Sequence, residues 1–465
     1  MEFDGSHARH GTVHAMRESS GRSIGFVLLC GIAVLAVGYV LFGPRPTSDI
    51  PGDRIVLNYW EKWTGTEAAA MQQVVDAFNA SQDRIHVNYL TMSSIDEKAM
   101  LSIAGGAPPD VLGLWSFNLP FYAQSDAILP LELPGIDAAS YAPAVRPLVF
   151  DGDRQLAGVN TCSSVAVYVN LSHLDRAGLD YRNGGPPRTL EQFDAMIPHL
   201  SVVGSDGVEQ AGFLHMDPGW WHWCWPGYFG GRLYDLETDT ATIDSPENIA
   251  AFTWFQNGQR RYGRDALRRF QSAPTDNPSP YRNFLTGRLS MTIQGPWLAR
   301  VIAESAPELQ WEAWPLPGPA GSPDEPTGPI ECDVLVVPRG APHPAEAMEF
   351  IAFTQRQDMV ELVSSLHAKP SPLMQVSPDF YFNHPNSSIA AHEAILHSPN
   401  GFGTPPVATW PELNASLTAG VDRIWNGDED VATVLGEVQA EVESQLERAR
   451  IRRERRGQRR FGVRP

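Results

Sequence analysis

The chain has 465 residues, of which 43% are apolar and 19% charged, and its formal net charge is −19. That length holds two or three ordinary domains, that apolar share excludes a disordered chain, and an acidic body excludes a protein that wraps nucleic acid. The sign is unevenly spread, because residues 448–464 carry nine Arg against one Glu.

In chain order, the first feature is an uninterrupted apolar run, Ile24 to Phe42. As a helix it would be about 28 Å long, close to the hydrocarbon thickness of a bilayer. Arg9, Arg17 and Arg22 precede it, so residues 1–23 are expected in the cytoplasm and the remainder exported. We read 24–42 as an anchor; small residues at Ala36 and Gly38 keep signal cleavage as the alternative. Leu29 is too bulky a neighbour for a lipid on Cys30. Residues 43–53 form a spacer. Cys162, Cys224 and Cys332 have no zinc-site spacing and read as small buried hydrophobes, although an oxidising compartment allows one disulfide.

An alternating α/β pattern follows. Ile55–Trp60 and Ile85–Leu90 read as strands, separated by Met71, Val74, Val75 and Phe78 at helical spacing, with Thr66 as a cap. A second helix from Ser94 stops at Gly105-Gly106, and Pro108-Pro109-Asp110 leads into the strand Val111–Trp115. Strand, helix, strand, helix, strand predicts a parallel sheet, whose ligands sit beyond the carboxyl ends of the strands. Trp60 and Trp115 are expected at that rim. Further on, Thr189–Gln192 is a capping box, Ser245-Pro246 opens a helix, and Phe284–Trp297 reads as helix, turn at Gly287, strand and Gly-Pro break. Pro315–Pro329 is expected to be an excursion before the chain changes lobe, and Val431–Leu446 an amphipathic helix that the basic tail extends.

Aromatic residues dominate the informative stretches: Trp60 and Trp63 flank Glu61-Lys62, and four Trp fall between Trp220 and Trp225. A sugar ring shows a C–H face that flat rings cover and an edge of hydroxyls that carboxylates, amides and Lys satisfy. A micromolar receptor needs about 8 kcal/mol, within reach of a few such contacts. No helix or strand period buries Trp220, Trp221, Trp223 and Trp225 on one side. Trp254, Trp311 and Trp314 read as core.

Four pieces occur in order: Tyr59–Trp63 with Val74–Asn79, Ala104–Val111, Asp151–Val159 with Tyr168–Asn170, and Phe284–Met291 with Gly295-Pro296-Trp297. Together they resemble the family 1 extracellular solute-binding proteins of ABC importers, the maltose-binding-protein-like receptors. The resemblance implies an α/β, two-lobed type II fold joined by a multi-crossing hinge, with crossings near 158–162, 328–333 and 367–370. Lobe 1 would be 54–160 plus 331–366, lobe 2 161–330 plus 367–447, and 448–465 a basic tail. It also implies a sugar held between the lobes. The candidate contacts are Trp60, Glu61, Trp63, Trp115, Asn118, Asn160, Trp220, Trp221, Trp223, Trp297, Asp333 and Trp410. No catalytic residue, metal or cofactor is expected. The partners would be permease subunits with a separate ATPase and the membrane, the receptor itself a monomer on the outer side of the cytoplasmic membrane. Glu331-Cys332-Asp333 and Gly158-Val159-Asn160 depart from the family's usual sequences, which leaves the ligand's identity open. A tethered sensor and a glycoside hydrolase are the rival readings. The latter would need two carboxylates at a set separation.

Overall fold

The computed structural model describes residues 53–205, 207–273, 279–319 and 325–460. The expected anchor lies outside them. Among the described residues no helix is long and apolar enough to cross a membrane.

Two sheets organise the unit that begins at Ile55. In the first, the strand Ile55–Glu61 lies between two parallel neighbours, Ile85–Thr91 and Val111–Trp115. Its odd-numbered residues Leu57, Tyr59 and Glu61 are buried on one face, as the two-residue period of a strand demands. The helix Gly65–Ser81 buries Met71, Val74, Val75 and Phe78, the apolar stripe read from the sequence. It begins earlier than expected. Gly65 takes a positive φ of 58° and Thr64, not Thr66, occupies the cap position, without a side-chain bond.

The sheet is mixed and not purely parallel. Gly328–Pro338 returns from the other lobe and runs antiparallel to both Val111–Trp115 and Gly158–Ser164. A strand arriving from another sheet has no crossover helix to turn it parallel.

The second sheet has five strands, in the order Trp311–Trp314, Ala166–Asn170, Leu289–Gln294, Gly207–Phe213, Val202–Gly204. The expected helix–turn–strand before Trp297 is present: Arg282–Leu285, a positive φ of 72° at Gly287, then Leu289–Gln294. Ser245 accepts a hydrogen bond from Asn248 N with Pro246 in the first turn. Only half of the expected box at Thr189 forms: its hydroxyl accepts from Gln192 N, while Gln192 Oε1 accepts from Arg188 N. The last helix, Val431–Arg460, carries the basic segment as its continuation.

The chain passes between the sheets at Val165 and between Trp314 and Gly328; Gly401–Phe402 still pairs with the first sheet, and from Trp410 the chain packs into the second lobe's core. At the first passage Gly158–Ser164 belongs to one sheet and Ala166–Asn170 to the other, and Val165 N donates to Pro329 O at 3.1 Å. One apolar cluster includes Val334 and Val336 of the first sheet and Ala166, Tyr168 and Ala313 of the second, so the two lobes share a packed core where they join.

Candidate functional site

Between the lobes lies a cavity of about 550 Å³, within the range of ligand pockets. The first lobe contributes the ends of three strands. Glu61, at the end of the opening strand, is wholly buried. Its carboxylate accepts from Tyr59 Oη at 2.6 Å, Lys62 N at 2.8 Å and Lys62 Nζ at 3.2 Å. It fits there because the neighbouring strand carries Gly113, where any Cβ would overlap the carboxylate. Burial first, and Glu61 second, push the Tyr59 phenol well above its ordinary range.

At the centre stands Asp333. Lys62 Nζ is 3.0 Å from Oδ1, and Lys369 Nζ donates to Oδ2 at 2.9 Å. Thr161 Oγ1 donates to the same Oδ2 at 2.8 Å. Burial alone would raise the Asp333 carboxyl; the two ammonium groups overcome it and hold it well below the usual carboxylate range. Burial is the largest single influence on both lysines and lowers them, but their carboxylate neighbours, Asp333 first with Glu61 beside Lys62 and Glu67 beside Lys369, together raise them, so they stay charged. Three buried charges that satisfy one another this completely form a rigid polar floor.

Aromatic rings make the walls. Trp63 stands edge-on to His367 at 4.5 Å, with Lys62 Nζ 5.1 Å and Lys369 Nζ 5.6 Å from its ring centre. Trp115 stacks on Phe117 at 5.8 Å and 8°. Facing them, Trp297 folds back over Gly295, whose missing side chain leaves room for the indole. Its Nε1 donates to Tyr281 Oη at 3.0 Å. Trp221 lies 6.0 Å from Trp297, and Trp220, 44% exposed, touches both Trp221 and Tyr281.

Of the twelve sequence candidates, Trp63, Trp115, Trp220, Trp297 and Asp333 line this cavity, and Glu61 and Trp221 stand behind the lining. Others lie elsewhere. Trp60 follows the opposite face of its strand and packs with Leu112 and Leu114, because its even position alternates with Glu61. Asn118 donates to Asp96 Oδ1 at 2.9 Å. Asn160 is buried behind Glu61, its Nδ2 3.4 Å from Tyr59 Oη. Trp223 and Trp410 meet edge-to-face at 6.0 Å within the second lobe's core. Sequence reasoning passed over Lys62, Glu67, Tyr281, Glu331 and Lys369. Lys62 was legible beside Glu61. Nothing local distinguishes Lys369, which reaches Asp333 only through the fold.

Cys162 and Cys332 sit opposite each other on adjacent strands, and these and Cys224 are buried free thiols. Among the described residues no cluster of His, Cys, Asp and Glu could hold a metal ion.

Comparison with known proteins gives a consistent picture. The model of the bacterial extracellular solute-binding protein family matches residues 62–359. An uncharacterized ABC transporter extracellular-binding protein of Pyrococcus horikoshii is 20% identical over 389 residues, 79% of this chain and 86% of the relative. The mannobiose-bound structure of CpMnBP1 superposes with a TM-score of 0.73 at 20% identity, covering 84% of this chain and all of that one. The sugar-binding protein MalE of Xanthomonas citri gives 0.70 at 16% identity, covering 86% and 99%. At such identities the structural likeness establishes the two-lobed fold.

Proposed function

We propose, starting from the fact that this chain belongs to the bacterial extracellular solute-binding proteins, that it captures a sugar or short oligosaccharide in the interlobe cavity. It would deliver this ligand to the permease of an ABC importer. The observation that carries the reading is a 550 Å³ hollow whose aromatic walls come from both lobes, Trp63 and Trp115 on one side and Trp220 and Trp297 on the other, above a floor of ordered charges. Rings cover the apolar face of a sugar, and fixed charged donors and acceptors meet its hydroxyls without reorganising. A ligand touching both walls is desolvated on both faces only when the lobes close on it, so binding favours the closed form. A monomer held at the outer face of the cytoplasmic membrane by residues 24–42, with ATP hydrolysed by separate subunits, completes the proposal.

The test is a thermal-shift screen of mono-, di- and oligosaccharides on the full-length protein. A ligand that binds only the folded form raises the melting temperature in proportion to the logarithm of its concentration. No shift with any carbohydrate at millimolar concentration defeats the reading. Hydrolysis is favoured by one observation: Glu331 is pushed up to about 7 while Asp333 is held low, a divergence seen between catalytic acids and their partners. Asp333, however, is committed to two lysines and a threonine, which leaves it poorly placed as a nucleophile. Recovery of an oligosaccharide at its original length after long incubation decides for capture.

A further inference from the structure

The charges that line the cavity do not balance. Glu67, Glu304, Glu331 and Asp333 face Lys62, Arg300 and Lys369, and Glu61 adds a further carboxylate behind Lys62. The pairs can be assigned. Lys62 serves Glu61 and Asp333, Arg300 serves Glu304 at 3.0 Å, and Lys369 serves Asp333 while remaining 4.0 Å from Glu67. Glu331 is left over. Among the described residues no cation is paired with it, and Trp221 is the side chain that most lowers its carboxyl. The strand's alternation puts Glu331 on the same face as Asp333, opposite Ser163 of the neighbouring strand. Trp221, behind the lining, meets Trp220 edge-to-face, and Trp220 lines the cavity.

We propose that the ligand is a sugar bearing a primary ammonium group, received between the Glu331 carboxylate and the Trp220 indole. This rests on the receptor reading above and narrows it. The same cavity already sets ammonium groups against indoles: Lys62 Nζ is 5.0 Å from the Trp115 ring and Lys369 Nζ 5.9 Å from that of Trp297. A ligand ammonium would be the third ammonium set against the cavity's indoles, with an unpaired carboxylate to receive it. A hydroxyl would also make a charge-assisted hydrogen bond to the carboxylate, but an ammonium adds the attraction of two opposite full charges, so the hydroxyl is the weaker partner.

A second consequence follows from the groups around Glu331. Burial, and then Asp333, push its carboxyl up to about 7, against the lowering effect of Trp221 and Lys369. Cys332 on its own strand and Cys224 from the second lobe, both with thiols raised by burial, complete its titratable surroundings. Near neutrality the empty site therefore holds a fraction of a proton on Glu331. An arriving ammonium drives that proton to solvent, whereas a neutral sugar leaves it in place.

Calorimetry on the full-length protein tests this with glucose, glucosamine and N-acetylglucosamine, and with the β-1,4-linked dimer of each. The expected result is an amino sugar bound at least tenfold more tightly than both its hydroxyl and N-acetyl counterparts, with proton release seen as a buffer-dependent enthalpy at pH 6, where the free amine is already charged and Glu331 still holds most of its proton. Glu331→Gln should shrink the tenfold ratio towards one and abolish the release; the proton measurement on the unmodified protein stands even if that variant folds poorly. Neutral sugars binding as tightly as the amino forms, or amino sugars binding without proton release, would overturn the proposal and leave the receptor reading intact. Absence of binding across all six would overturn the receptor reading for these sugar classes, and this inference with it.

Discussion

Asp333 and Glu331 are two residues apart on one strand and are driven in opposite directions. Asp333 is ionised because Lys62 and Lys369 hold it between them. Its stabilising contribution is therefore present above the ordinary aspartate value and fades only as pH falls through the lowered one. Glu331 has the reverse sign. Its folded value, raised to about 7, lies above that of the unfolded chain, so the folded state binds more proton between about 4.3 and 7 and stability falls as pH rises across that window. Glu331→Gln removes this slope. Chemical denaturation at pH 5 and pH 8 should show the variant gaining on the parent by about 1–3 kcal/mol at the higher pH; an unchanged difference would contradict the assignment.

At the scale of the element, the site depends on where strands lack side chains. Gly113 makes room for the Glu61 carboxylate and Gly295 for the Trp297 indole. Gly113→Ala overpacks a wholly buried ion pair, and an equilibrium urea titration should record a loss of about 1–3 kcal/mol. The parallel strands, the stripe on Gly65–Ser81 and the Arg282–Gln294 turn were all legible, because apolar period and turn chemistry act over a few neighbouring residues. The tryptophan run was legible only as a cluster. Trp221 reaches towards the cavity and Trp223 points into the core against Trp410, a division set by the short turn His222–Cys224 and by what the second lobe packs on each side.

For the whole molecule, aromatic walls on two lobes joined by three passages of chain favour a hinge closure driven by the ligand. Small-angle scattering on the protein with and without a saturating ligand should show a smaller radius of gyration in the bound form. A tightly bound ligand that left the radius unchanged would argue for a rigid site. Residues 62–359, the span matched by the family, contain Trp63 and Trp115 of the first wall and the Gly-Pro-Trp element of the second, but not His367 or Lys369.

By itself the sequence determined the alternation of strands and helices and the richness in aromatic rings, since periodicity, turns and residue order are properties of neighbouring positions, and its resemblance to a known family implied the two-lobed class. Only the tertiary structure decided which rings meet and which charges pair. Lys62, Asp333 and Lys369 are hundreds of positions apart at the extremes, and a buried carboxylate's charge state depends on what the fold brings within a few ångströms of it.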